Sequence, residues 1–596
     1  MDPETDVDDL LKSLGRWGNF QKFQLAFNLL GFWPAAFHLL SIVFIGYRPD
    51  FECKVPENVY NNETFYPSSD VSYTVGQCDV KVFRNMTNST SDSTISCSEY
   101  SYPFPTDRSF VTEWDLVCDR SALAEFTQTL MMIGQAIGAT VCTSLSDRFG
   151  RKNLCLVSHI LLLAFGIAVS FSPNFIVFAV LRFFTGIFQQ GFAMSLTVLN
   201  LEILPMESRY LAEVYGLLIW TTGVAMITPF GYFLRHYSWR YTQLALTLVS
   251  SYALIQYWLQ EESIRWLLIN NKLKEAERIV RKAARWNKVK YDDVMKRVTQ
   301  MKEEKKSISE NETDLIRKDE TLQNKTVYAD TSFTKPYSSL NKDEALLIYK
   351  DTTNTLSSQL TTQLDSKVKE DSTKGNAFAV EHLNATHIFR EKRIFINSLI
   401  LWITWVTNSL TYYALTLTST SLAGNRFLNY LLSGLVEYPA ALLQFLMLKR
   451  TGRKTTCFVF HIVAGSSLAV ATVFRYFSAT KVFTFVGKMS ITGSFSTIFL
   501  YTPELYPTNL RNVGIGFSSA ASRAGGMIAP FAGTMAMYVA WGPGAVFGIM
   551  CFIVSFLCLY LPETRGHELP QTIGELKQWY KQHSGRGKKR NIKEKL

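Results

Sequence analysis

The chain has 596 residues, of which 47% are hydrophobic and 14% aromatic, and its formal net charge is +11. Several soluble domains would fit this length. The apolar residues, however, are concentrated in blocks of roughly 20, each long enough to cross a bilayer core as a helix. The positive charge lies in loops between these blocks and in a basic tail, so no soluble domain carries a basic patch of the kind that binds nucleic acid.

Six apolar segments follow a polar, acidic N-terminus, residues 1–22. An acidic start is unlike the basic start of a cleaved signal peptide. Each segment has the length of a membrane-spanning helix, and together they predict an N-terminal six-helix half over residues 23–260. We place the six spans at 23–44, 123–145, 154–171, 175–201, 212–234 and 242–259.

The loop between the first two spans, residues 47–119, is polar and contains an even number of cysteines. These are Cys53, Cys78, Cys97 and Cys118. The same loop contains three Asn-X-Ser/Thr sequons, at Asn62, Asn85 and Asn88. Both features are typical of an oxidising, glycosylating compartment. We therefore predict an extracellular loop with disulfides and glycans. Four cysteines allow three pairings, and the sequence does not choose among them.

A charged stretch, residues 261–392, separates the two sets of spans. Its first part has apolar residues at helical spacing, which predicts an amphipathic helix on the membrane surface or against the bundle. Residues 305–374 are dominated by Ser, Thr, Asp, Asn and Lys, a composition typical of disorder. A second six-helix half, 393–561, and a basic tail, 562–596, follow. Its spans are predicted at 394–416, 427–448, 456–474, 482–501, 513–538 and 545–561.

The distribution of basic residues predicts the orientation in the membrane. Twelve spans in two sixes put both termini on one side. Arginine and lysine are concentrated in the loops on that side, which the positive-inside rule identifies as cytosolic. We therefore expect a multi-pass protein of the plasma membrane with cytosolic N- and C-termini. The cysteine-containing loop then lies outside, in agreement with its cysteine chemistry.

The two halves share motifs at a constant offset of 302 residues. DRFGRK at 147–152 corresponds to KRTGRK at 449–454, and LEILPMESR at 201–209 corresponds to PELYPTNLR at 503–511. Two coincident motifs at one offset are hard to obtain by chance, so the halves are homologous. Parallel repeats joined by a long linker are one way in which secondary transporters are built, with the substrate site between the halves.

Eight motifs in order carry a more specific resemblance. They are LGRWGNFQ (14–21), VTEWDLVC (111–118), SDRFGRK (146–152), EILPMESR (202–209), LVEYPA (435–440), VGKMSITGSFS (486–496), YTPELYPTNLRNVGIG (501–516) and LPETRG (561–566). Together they resemble the organic cation, organic anion and carnitine transporters of the major facilitator superfamily. The resemblance implies an all-α membrane protein with twelve transmembrane helices in two pseudo-symmetric six-helix halves, the major facilitator fold.

Charged residues of the repeated loops are predicted to gate the cytosolic face. They are Asp147, Arg148, Arg151, Glu202, Arg209, Glu504 and Arg511. Ion pairs between Glu202 and Arg209, and between Glu504 and Arg511, could close this face between the halves. Pairs that must break in each cycle should be weak, as partly exposed pairs are. The alternative is that these charges only follow the positive-inside rule.

Three ionisable residues stand out inside predicted spans, where charges are costly and usually functional. Glu437 and Lys488 either form a salt bridge with each other or act on the substrate or a coupling ion. We expect Arg523 to contact substrate, since the resemblance places arginine here in anion and carnitine transporters and aspartate in cation transporters. Trp405 and Tyr412 are seven residues apart and so share a helix face. They match aromatic substrate-contact positions of the family, and aromatic faces bind quaternary ammonium groups.

These features favour a polyspecific transporter that moves carnitine-like zwitterions or organic cations by alternating access. An organic-anion exchanger of the same family is the first alternative, and a transport-dead membrane receptor or scaffold is the second. The sequence shows no nucleotide-binding loop, metal-ligand cluster or catalytic triad spacing, so we do not expect an enzyme or a cofactor. Coupling to sodium or protons is left open. The expected partners are small organic ions or zwitterions and the lipid bilayer.

Overall fold

The computed structural model describes residues 6–54, 71–86, 89–301, 303, 386–474, 480–507, 510–565 and 576. The chain divides into one unit of Met1–Val294 with Ala385–Leu596 and a second unit of Met295–Asn384. In the second unit, residues 295–301 are helical. The predicted disordered stretch 305–374, the sequons at Asn62 and Asn88 and nearly all of the basic tail lie outside the described residues.

In the described residues, the N-terminal half is a helical bundle with one long loop that contains the disulfides. Its helices are α1 Val7–Ser13, α2 Asn19–Leu29, α3 Phe32–Leu40, α4 Ile42–Ile45, α5 Phe110–Glu113, α6 Ser121–Phe149, α7 Arg151–Ser170, α8 Phe175–Glu202, α9 Arg209–Phe233, α10 Trp239–Leu248, α11 Ala253–Leu259, α12 Ile264–Ile269 and α13 Leu273–Trp286. The helix α13 is the predicted amphipathic one, with a buried apolar face and charged residues on its other faces.

The C-terminal half repeats this arrangement. Its described helices are α14 Thr386–Arg390, α15 Lys392–Leu417, α16 Arg426–Leu435, α17 Glu437–Arg450, α18 Arg453–Val473, α19 Thr480–Leu505, α20 Arg511–Ile528, α21 Phe531–Tyr538 and α22 Gly542–Cys558. Within the halves, α6 packs on α8 and α18 packs on both α19 and α22. Between the halves, α9 packs on α16 and α20 packs on α6.

Among the described residues, eight helical stretches are long and apolar enough to cross a membrane, and α22 is a shorter apolar helix. Several predicted spans are interrupted helices rather than single ones. The eighth span breaks at Val436 between α16 and α17, and the eleventh breaks before Pro530, whose ring removes a backbone donor. The helix α19 is long enough to span, but Lys488 and many Ser and Thr residues lower its hydropathy.

Small residues allow helices of the N-terminal half to approach closely. Gly134 on α6 and Gly186 on α8 face each other across the crossing of these helices. A Cβ atom at either position would overlap a backbone carbonyl of the facing helix, that of Phe183 or Met131. Packing of this kind is typical of membrane helices, where lipid leaves little hydrophobic drive for association.

The loop after α4 forms two small antiparallel sheets. The strands β1 Glu52–Cys53 and β5 Tyr100–Ser101 form one, and β2 Val71–Val75, β3 Asp79–Met86 and β4 Ser89–Ser96 form the other in the order β2-β3-β4. The predicted disulfides are present and join Cys53 to Cys97 and Cys78 to Cys118. The backbone of Asn85, the third predicted glycosylation site, lies in β3.

The pairing can be tested by thiol labelling of the purified, unreduced protein with a maleimide that adds mass. We expect Cys53→Ser to release one reactive thiol, that of Cys97, and the double variant Cys53→Ser/Cys97→Ser to release none. The mixed double variant Cys53→Ser/Cys78→Ser should release two. Labelling of the Cys53→Ser/Cys97→Ser protein in this loop would show that the cysteines pair differently.

Candidate functional site

A cavity of about 330 Å³ lies between the two halves. Its deep end is formed by Leu39, Gln135 and Glu437. Its walls continue to Asn200 and Phe499, which lie near the ends of α8 and α19 that precede the charged loops. We call this end of the bundle, which carries the loops 147–152 and 449–454, the basic end. The cavity therefore extends from the middle of the bundle toward the basic end.

The opposite end of the bundle, next to the disulfide-containing loop, is closed by contacts between the halves. We call it the disulfide end. The ring of Phe44 stacks on Phe427 with ring centroids 5.5 Å apart. The side chain of Arg48 lies 3.4 Å from Glu125 and also contacts Met537 of the other half. These contacts shut the cavity from this side.

The buried ion pair at the deep end of the cavity joins Glu437 and Lys488. Lys488 Nζ lies 3.3 Å from Glu437 Oε1, and both side chains are almost fully buried. Tyr412 donates a 2.8 Å hydrogen bond to Oε1, and Thr221 donates a 3.3 Å hydrogen bond to Oε2. Trp220 Nε1 in turn donates to the Tyr412 hydroxyl over 3.1 Å. Since Thr221 and Trp220 belong to the N-terminal half, this network connects the two halves.

Each partner of the pair has a defined place in the bundle and Lys488 has further contacts. Glu437 is the first residue of α17. Lys488 Nζ donates to the backbone oxygen of Tyr412 over 3.3 Å and to the hydroxyl of Thr416, and it lies 3.2 Å from the centroid of the Tyr412 ring. Of the two interpretations of these residues, the mutual salt bridge is present, and direct action on substrate stays a prediction.

Arg523 lies on the cavity wall and is only partly buried. Its guanidinium donates to the side-chain oxygens of Gln135 over 3.1 Å and Gln190 over 2.9 Å. Both glutamines belong to the N-terminal half. In the described part of the chain, no carboxylate lies within ion-pairing distance of this guanidinium. The two amides therefore orient the charge of Arg523 without neutralising it.

Aromatic rings form much of the remaining wall. Trp405 and Tyr412 both line the cavity from α15, as expected for residues on one helix face. Trp405 Nε1 donates to Thr502 over 2.9 Å, and its ring packs edge-on against Phe499 with centroids 4.5 Å apart. Phe495 completes this wall, 5.8 Å from the Tyr412 ring centroid. The cavity thus combines one exposed cationic group with several ring faces.

The charged residues of the basic end form the same ion pair in each half. Arg151 lies 2.9 Å from Asp147 and 3.4 Å from Glu202. At the corresponding positions of the C-terminal half, Arg453 lies 2.9 Å from Glu504. Both pairs join residues of one half. In this conformation, therefore, Glu202 and Glu504 do not pair with the arginines that we expected to close the face between the halves.

The remaining predicted gating residues have other neighbours. Arg209 lies 3.8 Å from Asp8 of the N-terminal helix α1. Arg511 Nε donates to the backbone oxygen of Pro503 over 2.8 Å, and Arg148 lies over the ring of Phe149. A residue that gates the basic end must be able to exchange one set of contacts for another when the conformation changes. A gating role for these residues stays a prediction.

Two carboxylates at the basic end were missed by the sequence analysis. Glu262 accepts hydrogen bonds from the backbone N–H groups of Arg151 and Lys152, at 3.0 and 3.1 Å. Burial raises the pKa of Glu262, although these N–H groups and that of Ser263 act in the opposite direction. Glu563 accepts from Arg453 in the same way over 2.9 Å. Each carboxylate caps a helix that begins after a charged loop.

A glycine with positive φ makes room for each of these caps. Gly150 has φ 102° and Gly452 has φ 91°, values that favour glycine. A Cβ atom at either position would also overlap the capping carboxylate. The sequence signal was the near-repeat of EES after the sixth span and PET after the twelfth, read together with the repeated FGRK and TGRK loops.

Comparison with solved structures identifies the fold. The chain is similar to the proton:xylose symporter XylE bound to 6-bromo-6-deoxy-D-glucose, with a TM-score of 0.52 and 14% identity, over 94% of this chain and 99% of that chain. A partially occluded inward-open structure of the xylose transporter XylE from E. coli gives a TM-score of 0.53 at 12% identity, over 91% and 100% of the two chains. The predicted major facilitator fold is confirmed.

The family model for sugar (and other) transporters matches residues 71–334 and 337–572. Similar proteins include the organic cation transporter protein of Drosophila melanogaster, 29% identical over 95% of this chain and 93% of that protein. Organic cation/carnitine transporter 2 of Homo sapiens is 28% identical (96% and 94% covered), and organic anion transporter 3 of Pongo abelii is 27% identical (96% and 93% covered). The chain belongs to the sugar (and other) transporter family, and the resemblance read from its motifs is confirmed.

The buried ion pair should respond asymmetrically to substitution. Lys488→Met leaves the Glu437 carboxylate buried without its partner, which should cost roughly 3–5 kcal/mol. Adding Glu437→Gln should recover much of this loss. Thermal unfolding of the purified protein in detergent measures both effects, with Lys481→Met, two turns earlier on the same helix, as the control. A double variant no more stable than Lys488→Met would contradict a mutual ion pair.

Gating by the loops of the basic end should affect turnover more than binding. Asp147→Asn and Arg511→Gln remove charges that exchange partners between conformations, so they should lower the maximal uptake rate per transporter at the surface while the substrate Kd changes little. Arg285→Gln, an exposed arginine of α13, is the control. If binding were lost while turnover per bound molecule stayed normal, the gating role would be wrong.

Proposed function

We propose that this transporter moves carnitine-like zwitterions or organic cations across the plasma membrane by alternating access. The observation that supports this most is the guanidinium of Arg523 on the wall of a cavity between the halves that aromatic rings also line. The cavity volume of about 330 Å³ is in the range of sites for small organic molecules. Small organic ions are also what the printed names of the similar proteins describe.

A substrate carboxylate would supply the anionic partner that Arg523 does not have among the described residues. A guanidinium presents several N–H donors in one plane and binds carboxylates through two parallel hydrogen bonds. Gln135 and Gln190 occupy two of these donors and hold the side chain in place. An uncompensated charge inside a membrane protein is costly, so an anionic group that meets Arg523 during the cycle is favoured.

The cationic end of a zwitterion fits the other wall. Glu437 is already neutralised by Lys488, so it offers little attraction to a second cation. Lys488 occupies one face of the Tyr412 ring, so the rings of Trp220 and Trp405 remain, and each ring face contributes roughly 0.5–2 kcal/mol to binding a quaternary ammonium group. Ring faces rather than a carboxylate would therefore select this end of the substrate.

The closed disulfide end and the cavity that extends to the basic end support an inward-facing state. The concentration of Arg and Lys at the basic end makes that end cytosolic by the positive-inside rule, together with both termini. Opening to the outside would separate Arg48 from Met537 and Phe44 from Phe427, which are contacts between the halves. Alternating access then consists of breaking these contacts while the basic end closes. The coupling ion would be sodium or a proton, and uptake with and without sodium distinguishes the two.

An organic anion is the second candidate substrate, and Arg523 itself favours it. The two candidates differ in what they require of the aromatic wall. An aryl carboxylate needs the guanidinium but no cation-binding ring faces, whereas a zwitterion needs both. The response of uptake to substitutions at the two walls therefore distinguishes the substrates.

The test is uptake of labelled carnitine, tetraethylammonium and an aryl carboxylate, with and without sodium. Arg523→Asp should abolish uptake of both carboxylates, since loss of a desolvated charge-assisted pair costs roughly 2–5 kcal/mol, and should spare tetraethylammonium. Trp405→Leu should reduce uptake of the quaternary ammonium substrates more than that of the aryl carboxylate. The matched controls are Arg235→Asp, at the disulfide end, and Trp402→Leu, one turn earlier on α15 and outside the cavity lining.

Uniform loss of all three substrates in Arg523→Asp, at normal surface expression, would show that the guanidinium acts on the fold rather than on substrate. Uptake of the aryl carboxylate alone by the unaltered protein would favour the organic-anion alternative. Absence of uptake and binding for the whole panel would favour the receptor or scaffold interpretation.

A further inference from the structure

Three side chains that commonly bind transition metals meet inside the C-terminal half. Cys457 and His461 lie one turn apart on α18, and Cys558 is the last residue of α22. The two sulfur atoms are 3.5 Å apart, and Cys457 Sγ is 3.6 Å from His461 Nδ1. All three ligand atoms lie within 4.8 Å of one another, and all three residues are fully buried. This cluster is separate from the cavity between the halves.

The equivalent positions of the N-terminal half do not hold the same three side chains, so the cluster is not a feature that both halves share. The residues 302 positions earlier are Cys155, His159 and Gln256. In that half, His159 Nδ1 lies 2.6 Å from the Gln256 side-chain oxygen, and Gln256 Nε2 donates to Cys155 Sγ over 3.3 Å. An amide thus satisfies the cysteine and the histidine by hydrogen bonds. The C-terminal half retains the cysteine and the histidine but has a second thiol in place of the amide.

Two of the separations between the ligand atoms fall in the range of a tetrahedral zinc site. With Zn–S of about 2.3 Å and Zn–N of about 2.0–2.1 Å, the edges of a zinc tetrahedron measure roughly 3.3–3.8 Å. The sulfurs are 3.5 Å apart and Cys457 Sγ is 3.6 Å from His461 Nδ1, while all three ligand atoms lie within 4.8 Å of one another. Ser494 Oγ lies 3.0 Å from His461 Nδ1 and 3.8 Å from Cys457 Sγ, beside these ligand atoms.

We propose that Cys457, His461 and Cys558 bind a Zn²⁺ ion inside the C-terminal half, with the hydroxyl of Ser494 at the fourth position. Binding releases the two thiol protons, and His461 Nδ1 exchanges its 2.9 Å hydrogen bond to the Cys457 carbonyl for the metal. Two thiolates, a neutral imidazole and Zn²⁺ carry no net charge. A site of this composition avoids the cost of a buried unpaired charge.

The ion would tie α18 to α22 close to the basic end. Cys457 lies about one turn from the start of α18, and α22 ends at Cys558. None of the four residues lines the substrate cavity, so the zinc site does not depend on the proposed function. The sequence shows no metal-ligand spacing, because the third ligand comes from a helix about a hundred residues further on and sits in an apolar span.

The test is the zinc content of the full-length protein, purified under reducing conditions through a tag without histidine. Elemental analysis should find roughly one zinc per chain in the unaltered protein and only background in Cys558→Gln. The N-terminal half shows that a glutamine fits beside this cysteine and histidine, so Cys558→Gln should fold. Cys155→Ser and Cys551→Ser, which change other buried cysteines, are the controls and should retain zinc.

Cobalt substitution gives a second readout that a structural change alone would not produce. Replacement of zinc by Co²⁺ should give thiolate-to-metal absorption in the near ultraviolet, absent from Cys558→Gln, and the metal should be released as the pH falls because the thiolates are protonated. Equal zinc content in the unaltered protein and in Cys558→Gln would overturn the proposal. The proposal would also be overturned if mass spectrometry found a disulfide between Cys457 and Cys558 in the protein purified under reducing conditions.

Discussion

The neutralisation of Glu437 by Lys488 is the interaction on which the arrangement of the cavity depends. A carboxylate at this depth requires a partner, and Lys488 provides it while Tyr412 and Thr221 fill the remaining acceptor positions of the carboxylate. Four helices, α9, α15, α17 and α19, are thereby held around one buried network. Because this carboxylate is already compensated, Arg523 is left as the charge that faces the cavity.

The two halves keep their symmetry at the basic end and lose it inside the membrane. Glu262 and Glu563 cap equivalent helices, and Arg151 and Arg453 make equivalent ion pairs. The charged loops of the two halves are thus built alike. The buried polar groups differ between the halves. Gln135 and Gln190 of the N-terminal half hold an arginine of the C-terminal half, and no equivalent pair of contacts runs the other way in the described residues.

The sequence predicted the fold, the repeat and the presence of disulfides, because hydropathy blocks, constant motif spacing and an even cysteine count each reflect one strong physical constraint. It did not predict that Glu202 pairs with Arg151, since the loop motifs offer several partners of opposite sign. The two glutamines that hold Arg523 were also missed, because neutral amides inside an apolar span carry no distinctive pattern. The break at Val436 does have a local signal that was not used: Pro439 has no backbone N–H to bond to the Leu435 carbonyl, so the regular helix is interrupted just before it.

The break at Val436 has a mechanical consequence. The outer piece of this span, α16, packs on α9 of the opposite half, whereas the inner piece, α17, packs on α19 of its own half. A continuous helix would transmit every displacement of one half along its whole length. Two pieces that meet at Val436, where the regular helix is interrupted, can follow different neighbours. The contacts of α16 at the disulfide end can therefore break while Glu437, at the start of α17, stays paired with Lys488.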